Sequence, residues 1–208
     1  MKKNRMIQWM IGAGMTFVVL GLTTLSPAEE VSKSPIKNMS KDQLIKLAVS
    51  AAPEGVSKDA AVLIPGADGK LVEVKKGTNG FTCIPDIDGQ EKPDPICADE
   101  ATMQWVNDLM NNAPKPTNVK PGIAYMAQGG WHFEKDGKIL MKPEAGATRM
   151  EEPPHWMVLW PFDSKASGIP SLPEKWSTYV MWDGTPYAHL MIYQDPNHMR
   201  MGMGMMGH

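Results

Sequence analysis

The chain has few of the residues and none of the common sequence motifs that usually indicate a catalytic or cofactor-binding function. Its 208 residues include only two cysteines and five histidines, and aromatic residues make up 7%. It contains no Gly-x-Ser-x-Gly, His-Glu-x-x-His, phosphate-loop or dinucleotide motif, and no Cys-x-x-Cys-His for type-c haem. The sequence therefore leans away from an enzyme, although catalytic groups can meet in space without any sequence motif.

The first 28 residues have the pattern of a secretory signal peptide. Residues 1–5 are basic, residues 6–22 are almost wholly apolar, and Ser26-Pro27-Ala28 offers small residues for cleavage. This pattern predicts export to the periplasm or beyond. The alternative is an uncleaved anchor, for which the apolar run is short, and no later segment is apolar enough to span a membrane.

The net charge of the predicted mature chain limits the kinds of partner that we expect. Three of the 21 basic residues lie in the signal segment, which leaves 18 against 23 acidic residues and a net charge of −5. Nucleic acids and anionic lipid surfaces both attract a basic protein face. We therefore expect neither nucleic acid nor an anionic lipid surface as a partner, and the lack of a later apolar run predicts no stable membrane span after cleavage of the signal. A metal ion or a small ligand is considered instead. The oligomeric state is left open.

The two cysteines predict a disulfide. Cys83 and Cys97 are the sole candidates, and two cysteines in an exported chain most simply pair with each other. The loop they close has 15 residues, for which the chain-entropy model gives about 3 kcal/mol of stabilisation. The spacing is far from the Cys-x-x-Cys of redox-active pairs.

The pattern of elements predicts a single α+β domain. Ser40 and Gln43 have capping-box spacing at the start of one helix, and Asp99 can cap a second. Asp-Gly pairs separate strand-like runs later in the chain, which favours an antiparallel, hairpin-built sheet with about two helices. We predict a signal peptide over 1–28, a linker over 29–39, the domain over 40–196 and a disordered Met/Gly-rich tail over 197–208.

The tail has the composition of a soft-metal ligand set. Thioether sulfur and imidazole favour Cu(I) and similar ions, and the candidate ligands are His198, Met199, Met201, Met203, Met205, Met206 and His208. The run resembles the methionine-rich stretches of exported bacterial copper-handling proteins. The alternatives are a low-complexity terminus and an adhesive apolar tail.

Two short strings offer a second candidate metal site. His155-Trp156-Met157 and His189-Leu190-Met191 each place a histidine and a methionine on one face of a predicted strand, because residues i and i+2 share a face. If the two strands adjoin, four ligands of the copper type come together. The alternative is that these side chains simply fill the core.

A third candidate is a pocket lined by histidine and tryptophan. His132, His155 and His189 would be its polar groups, and tryptophans such as Trp131 and Trp182 could form stacking platforms, although core packing is the simpler explanation for them. Glu151-Glu152, beside two prolines, favours a solvated turn rather than an acid–base pair.

At the scale of the chain, three stretches carry a resemblance. "GTNGFTCIPD" with "DPICAD", "HWMVLWP" and "MWDGTPYAHLMI" are together similar to a group of uncharacterised exported bacterial proteins with this cysteine pair and this closing hairpin. The resemblance implies export and one domain, adds no catalytic residue and does not include the tail.

The leading hypothesis is an exported envelope binding or accessory protein, with copper as the possible cofactor. One alternative is a small exported enzyme or ligand-binding module using the His/Trp pocket. The other is a structural envelope protein without a metal role.

Overall fold

A computed structural model describes residues 35–87, 89, 92–174 and 177–199. It contains four α-helices, α1 Lys41–Val49, α2 Glu54–Ser57, α3 Glu100–Met110 and α4 Ser164–Ser167, and 3-10 turns at Pro35–Asn38 and Pro196–His198. The strands are β1 Ala61–Pro65, β2 Leu71–Lys75, β3 Phe81–Ile84, β4 Ile96–Asp99, β5 Gly122–Met126, β6 Gly130–Lys135, β7 Lys138–Leu140, β8 Thr148–Glu152, β9 His155–Leu159, β10 Thr178–Met181 and β11 His189–Ile192.

The fold is a sheet-rich α+β fold. The strands form an eight-stranded sheet, in the order β10-β11-β9-β5-β4-β3-β1-β2, and a three-stranded sheet, in the order β7-β6-β8. The prediction of about two helices was imprecise, because the single turns α2 and α4 add to the two longer helices. The description as a hairpin-built antiparallel sheet was also too narrow. β1 and β3 pair in parallel, and β5 pairs with β9 across 28 intervening residues (127–154).

N-capping residues fix where both longer helices begin. Ser40 accepts a hydrogen bond from the backbone N–H of Gln43, and the Gln43 side chain accepts one from the Ser40 N–H, so the predicted capping box is confirmed. Asp99 caps α3 through the Thr102 N–H. α1 packs on β1 and β3, whereas α3 packs on β4, β5 and β9.

The predicted disulfide is confirmed, and it lies away from the candidate site. Cys83 and Cys97 face each other on the neighbouring strands β3 and β4 and are fully buried. Both pack in the core cluster under α1, whereas Ile96, one residue earlier, belongs to the core cluster that includes Trp105 of α3. Successive side chains of a strand alternate between faces. The disulfide therefore stabilises the face of the large sheet opposite the site described below.

Among the described residues, no helix is long and apolar enough to cross a membrane. The predicted signal peptide lies outside the described residues, as does the tail beyond Met199. The predicted linker includes the 3-10 turn Pro35–Asn38, where Ile36 is buried in the cluster under α1.

Candidate functional site

A buried carboxylate forms the polar centre of the site. Glu152 is the last residue of β8, and its side chain is 3% exposed. Its Oε1 accepts hydrogen bonds from Nδ1 of His132 at 2.7 Å and from the hydroxyl of Tyr179 at 2.5 Å. Its Oε2 lies 3.6 Å from Nε2 of His155, too far for a hydrogen bond. β6, β8, β9 and β10 thus contribute to one cluster around this carboxylate.

His132 lies between two carboxylates. Its Nε2 contacts Oε1 of Glu134 at 2.8 Å, while its Nδ1 contacts Glu152. Ionised carboxylates can only accept, so both ring nitrogens donate and the imidazole is protonated. Burial lowers the pKa of His132, but the hydrogen bonds and charges of Glu152 and Glu134 outweigh it and raise the pKa overall. The histidine therefore acts as a buried cation that neutralises Glu152.

The same contacts keep Glu152 ionised. Burial raises its pKa, but the hydrogen bond from His132, the positive charge that His155 can carry and the hydrogen bond from Tyr179 together lower it below its ordinary value. The pKa values of Tyr179 and Tyr193 are raised, first by burial and then by the Glu152 charge. Both tyrosines therefore keep their protons, and Tyr179 is a permanent donor to Glu152.

Close approach to Glu152 requires glycine on the neighbouring chain segment. Gly129 has φ +74°, and a side chain there would collide with the Glu152 carbonyl oxygen. A β-carbon at Gly130 would lie 3.7 Å from both Oε2 of Glu152 and Cε1 of His155, which is ordinary van der Waals contact. Gly129 therefore is the glycine that the close approach needs, and it leads into β6, where Gly130 pairs with Glu152 of β8.

His155 and His189 share one hydrogen-bonding arrangement. Nδ1 of His155 donates to the Pro153 carbonyl oxygen at 2.8 Å, and Nδ1 of His189 donates to the Tyr187 carbonyl oxygen at 3.0 Å. A carbonyl oxygen only accepts, so each ring carries a proton on Nδ1. In both histidines Nε2 is therefore the nitrogen left for another partner. That of His155 is enclosed by protein and has no partner among the described residues.

His189 lies in an aromatic corner. Its ring is roughly perpendicular to the rings of Trp105 and Trp182, with centroid distances of 5.1 Å each, and the two indoles stack at 5.8 Å. Burial lowers the pKa of His189 to about 4. The imidazole is therefore neutral at pH 7, and its Nε2 is a hydrogen-bond acceptor.

Trp182 reaches this corner through an unusual backbone conformation. Its φ is +54°, in the left-handed region that bulky residues rarely adopt. Its indole N–H donates to the Leu140 carbonyl oxygen at 3.2 Å, which links the turn after β10 to β7 of the small sheet. Such strain costs about 1–3 kcal/mol and is concentrated at functional sites. This conformation places the indole against Trp105 and His189.

These groups line one cavity of about 410 Å³ between α3, the large sheet and the small sheet, which we call the central cavity. Its polar side includes His132, Glu152, His155 and His189. The remaining wall is mostly apolar and sulfur-rich, and it includes Trp105, Val106, Trp131, Met157, Trp182 and Met191. A volume of 300–1,000 Å³ with a few convergent polar groups is typical of small-molecule sites.

The structure makes neighbours of the two strands that carry the His-x-Met strings. β9 and β11 pair antiparallel, with Met157 directly opposite Met191. His155 and His189 lie on the same face of the sheet as these methionines, each two residues from the pair. Because the strands run in opposite directions, the two offsets add, and the histidines are about 14 Å apart along the strands. In the described part of the chain, no group of three or more His, Cys, Asp or Glu residues is placed to hold a metal ion.

The tail ligands are only partly described. His198 is exposed, and its Nδ1 lies 3.2 Å from a carboxylate oxygen of Asp195. Met199 ends the last 3-10 turn. Met201, Met203, Met205, Met206 and His208 lie outside the described residues.

The sequence analysis named His132 and His155 as polar groups of a pocket, but it missed Glu152, the carboxylate that lies next to both. The interpretation of Glu151-Glu152 as a solvated turn was wrong for Glu152, because only Glu151 is exposed. Glu134, Tyr179 and Tyr193 were not singled out at all. A usable signal was Gly129-Gly130, because a glycine pair next to a predicted strand indicates close backbone approach.

Comparisons of the chain with protein-family models, curated proteins and solved structures give no match. What the central cavity does is therefore argued from its own geometry.

Proposed function

We propose that the protein binds a small, mostly apolar molecule in the central cavity. The observation that carries this proposal is a chamber of about 410 Å³ with mostly apolar walls and six buried polar side chains, among them His132, Glu152 and His189. Buried ionised groups such as Glu152 and His132 contribute little net stability compared with apolar residues of the same volume. Their presence, together with the strained Trp182, favours a role in recognition over a role in packing.

Blocking the cavity tests this proposal. Val106 of α3 lines the cavity and is half-buried, so Val106→Trp should fill it. The expected result is at least a tenfold loss of affinity for neutral aromatic probes such as naphthalene and 2-methoxynaphthalene in calorimetric titrations. The matched control is Val119→Trp, at a side chain that is 92% exposed, which should leave the affinity unchanged.

Two outcomes would overturn the proposal. One is that the unmodified protein binds none of the aromatic probes, since an open apolar cavity of this size should admit them. The other is equal affinity in the Val106→Trp and Val119→Trp variants. Thermal unfolding checks that each variant folds, and Leu109→Phe offers a smaller block from the same helix.

The cross-strand pair Met157 and Met191 favours a second candidate, soft-metal binding. Met157 and Met191 lie directly opposite each other on β9 and β11, and thioether sulfur is a ligand that Cu(I) prefers. We expect a Cu(I) competition titration to separate the two predicted sites. Tight binding lost in a chain ending at Asn197 assigns the metal to the tail. Tight binding retained there but lost in Met157→Leu/Met191→Leu, which nearly conserves volume, assigns it to the strands. No tight binding in the full chain rejects a copper role.

A further inference from the structure

We infer that the ligand of the central cavity is a neutral aromatic alcohol whose hydroxyl donates a hydrogen bond to Nε2 of His189. This inference rests on the proposed binding function and adds the chemical class of the ligand. The inference depends on which polar atoms of the cavity wall already have hydrogen-bond partners and which do not.

The donors of the polar side are already used. His132 donates through both nitrogens to carboxylates, Tyr179 donates to Glu152, and the indole N–H of Trp182 donates to Leu140. The indole nitrogens of Trp105 and Trp131 and the hydroxyl of Thr102 have no hydrogen-bond partner, but protein encloses these atoms and leaves them no surface. Among the described residues, the inner wall therefore offers a ligand acceptors rather than donors, and the ligand should supply a donor.

His189 is the acceptor best placed to receive a hydrogen bond from the ligand. Its ring is 2% exposed and borders the cavity. The bond to the Tyr187 carbonyl fixes the proton on Nδ1, and the two indoles hold the ring edge-on. Nε2 makes no hydrogen bond with the described residues, and protein does not enclose it as it encloses Nε2 of His155. A fixed, desolvated acceptor of this kind discriminates strongly for a donor, because it stays unpaired otherwise.

The surroundings favour a ligand that is aromatic and neutral. The indoles of Trp105 and Trp182 and the side chains of Met157 and Met191 suit a flat ring, through aromatic and sulfur–aromatic contacts. An anion would enter beside the buried, ionised Glu152, with Lys142 only at the exposed rim. A cation would lose its hydration on entering this apolar chamber, and the protonated His132 already balances the charge of Glu152.

Four probes with the same ring test the inference. They are 2-naphthol, 2-methoxynaphthalene, 2-naphthoate and 2-naphthylmethylammonium, titrated by calorimetry at pH 7. We expect 2-naphthol to bind about threefold to tenfold more tightly than the methoxy analogue, as one hydrogen bond implies. His189→Phe, which keeps an aromatic ring against the two indoles, should bring this ratio close to one. His189→Gln, which restores an acceptor oxygen, should recover part of the preference.

A spectroscopic readout separates the hydrogen bond from a merely structural role. Excited 2-naphthol becomes a strong acid, and it transfers its proton only to an acceptor already bonded to its hydroxyl. Naphtholate emission from the bound probe is expected in the unmodified protein and should disappear in His189→Phe.

The possible failures are distinguishable. If no probe binds, the proposed binding function itself is wrong. If 2-naphthol and 2-methoxynaphthalene bind equally well, the cavity binds ligands but His189 does not select a hydroxyl. Tighter binding of the carboxylate or the ammonium probe would overturn the neutral class. Unchanged naphtholate emission in His189→Phe would assign the acceptor to another residue.

Discussion

Replacing Glu152 with alanine is expected to lower the free energy of unfolding by about 3–5 kcal/mol, the range found when one partner of a buried ion pair is removed. The carboxylate is the common acceptor for His132 and Tyr179, and it balances the charge of the protonated His132. Without it, the tyrosine hydroxyl loses its acceptor and the imidazole retains Glu134 alone. Urea unfolding followed by circular dichroism measures the loss.

The neighbouring residue provides the control. Glu151 is exposed and pairs with Lys92 at 2.7 Å and with Arg149 at 3.3 Å on the other side of the same strand. Exposed ion pairs contribute only about 0–1 kcal/mol, so Glu151→Ala should cost no more than this. Similar losses in the two variants would show that Glu152 is not the centre of a buried network.

The stability of the protein should be greatest near pH 6.5 and should fall on both sides. On the acid side, His189 has a folded-state pKa of about 4, below the ordinary value of about 6.5. The unfolded chain therefore takes up this proton first as the pH falls, which removes about 3 kcal/mol of stability between pH 6.5 and pH 4. The lowered pKa of Glu152 adds a further loss below its unfolded value, about pH 4.5.

Above pH 6.5, the loss of stability comes from a group whose pKa is raised by folding instead of lowered. The pKa of His132 is raised in the folded protein, so the unfolded chain loses this proton first. The stability from this group is complete below pH 6.5 and is lost as the pH rises through the folded-state pKa.

Two variants separate the contributions to this pH profile. We expect His189→Phe to flatten the fall between pH 6.5 and pH 4, whereas His132→Gln should flatten the fall above pH 6.5. The measurement is the free energy of unfolding in urea at half-unit steps from pH 4 to pH 9. An acid-side loss that persists unchanged in His189→Phe would contradict the neutral, buried state assigned to this histidine.

The resemblance to exported bacterial proteins and the predicted export stay predictions. The same holds for the metal ligands predicted in the tail, where the residues beyond Met199 lie outside the described structure. The Cu(I) titration addresses the tail directly, and it does so independently of the cavity.

The sequence by itself determined the features that depend on residues close together in the chain, together with the disulfide. Ser40 with Gln43 and Asp99 set the starts of the two longer helices, because a cap is formed by residues three positions apart. The hairpins joining β1 to β2, β6 to β7 and β10 to β11 follow from strand-like runs on either side of an Asp-Gly turn. The disulfide followed from there being two cysteines and no other partner for either.

Only the tertiary structure decided where the polar groups lie. Glu152 and Glu151 are adjacent in sequence and identical in kind, yet one is buried and the other exposed, because β8 pairs with β6 and turns one of them inward. The position of His132 between two carboxylates depends on that same pairing. The pairing of β5 with β9 brings Met126 beside His155 across the chain. Such contacts depend on which strands meet, and no short stretch of sequence encodes that choice.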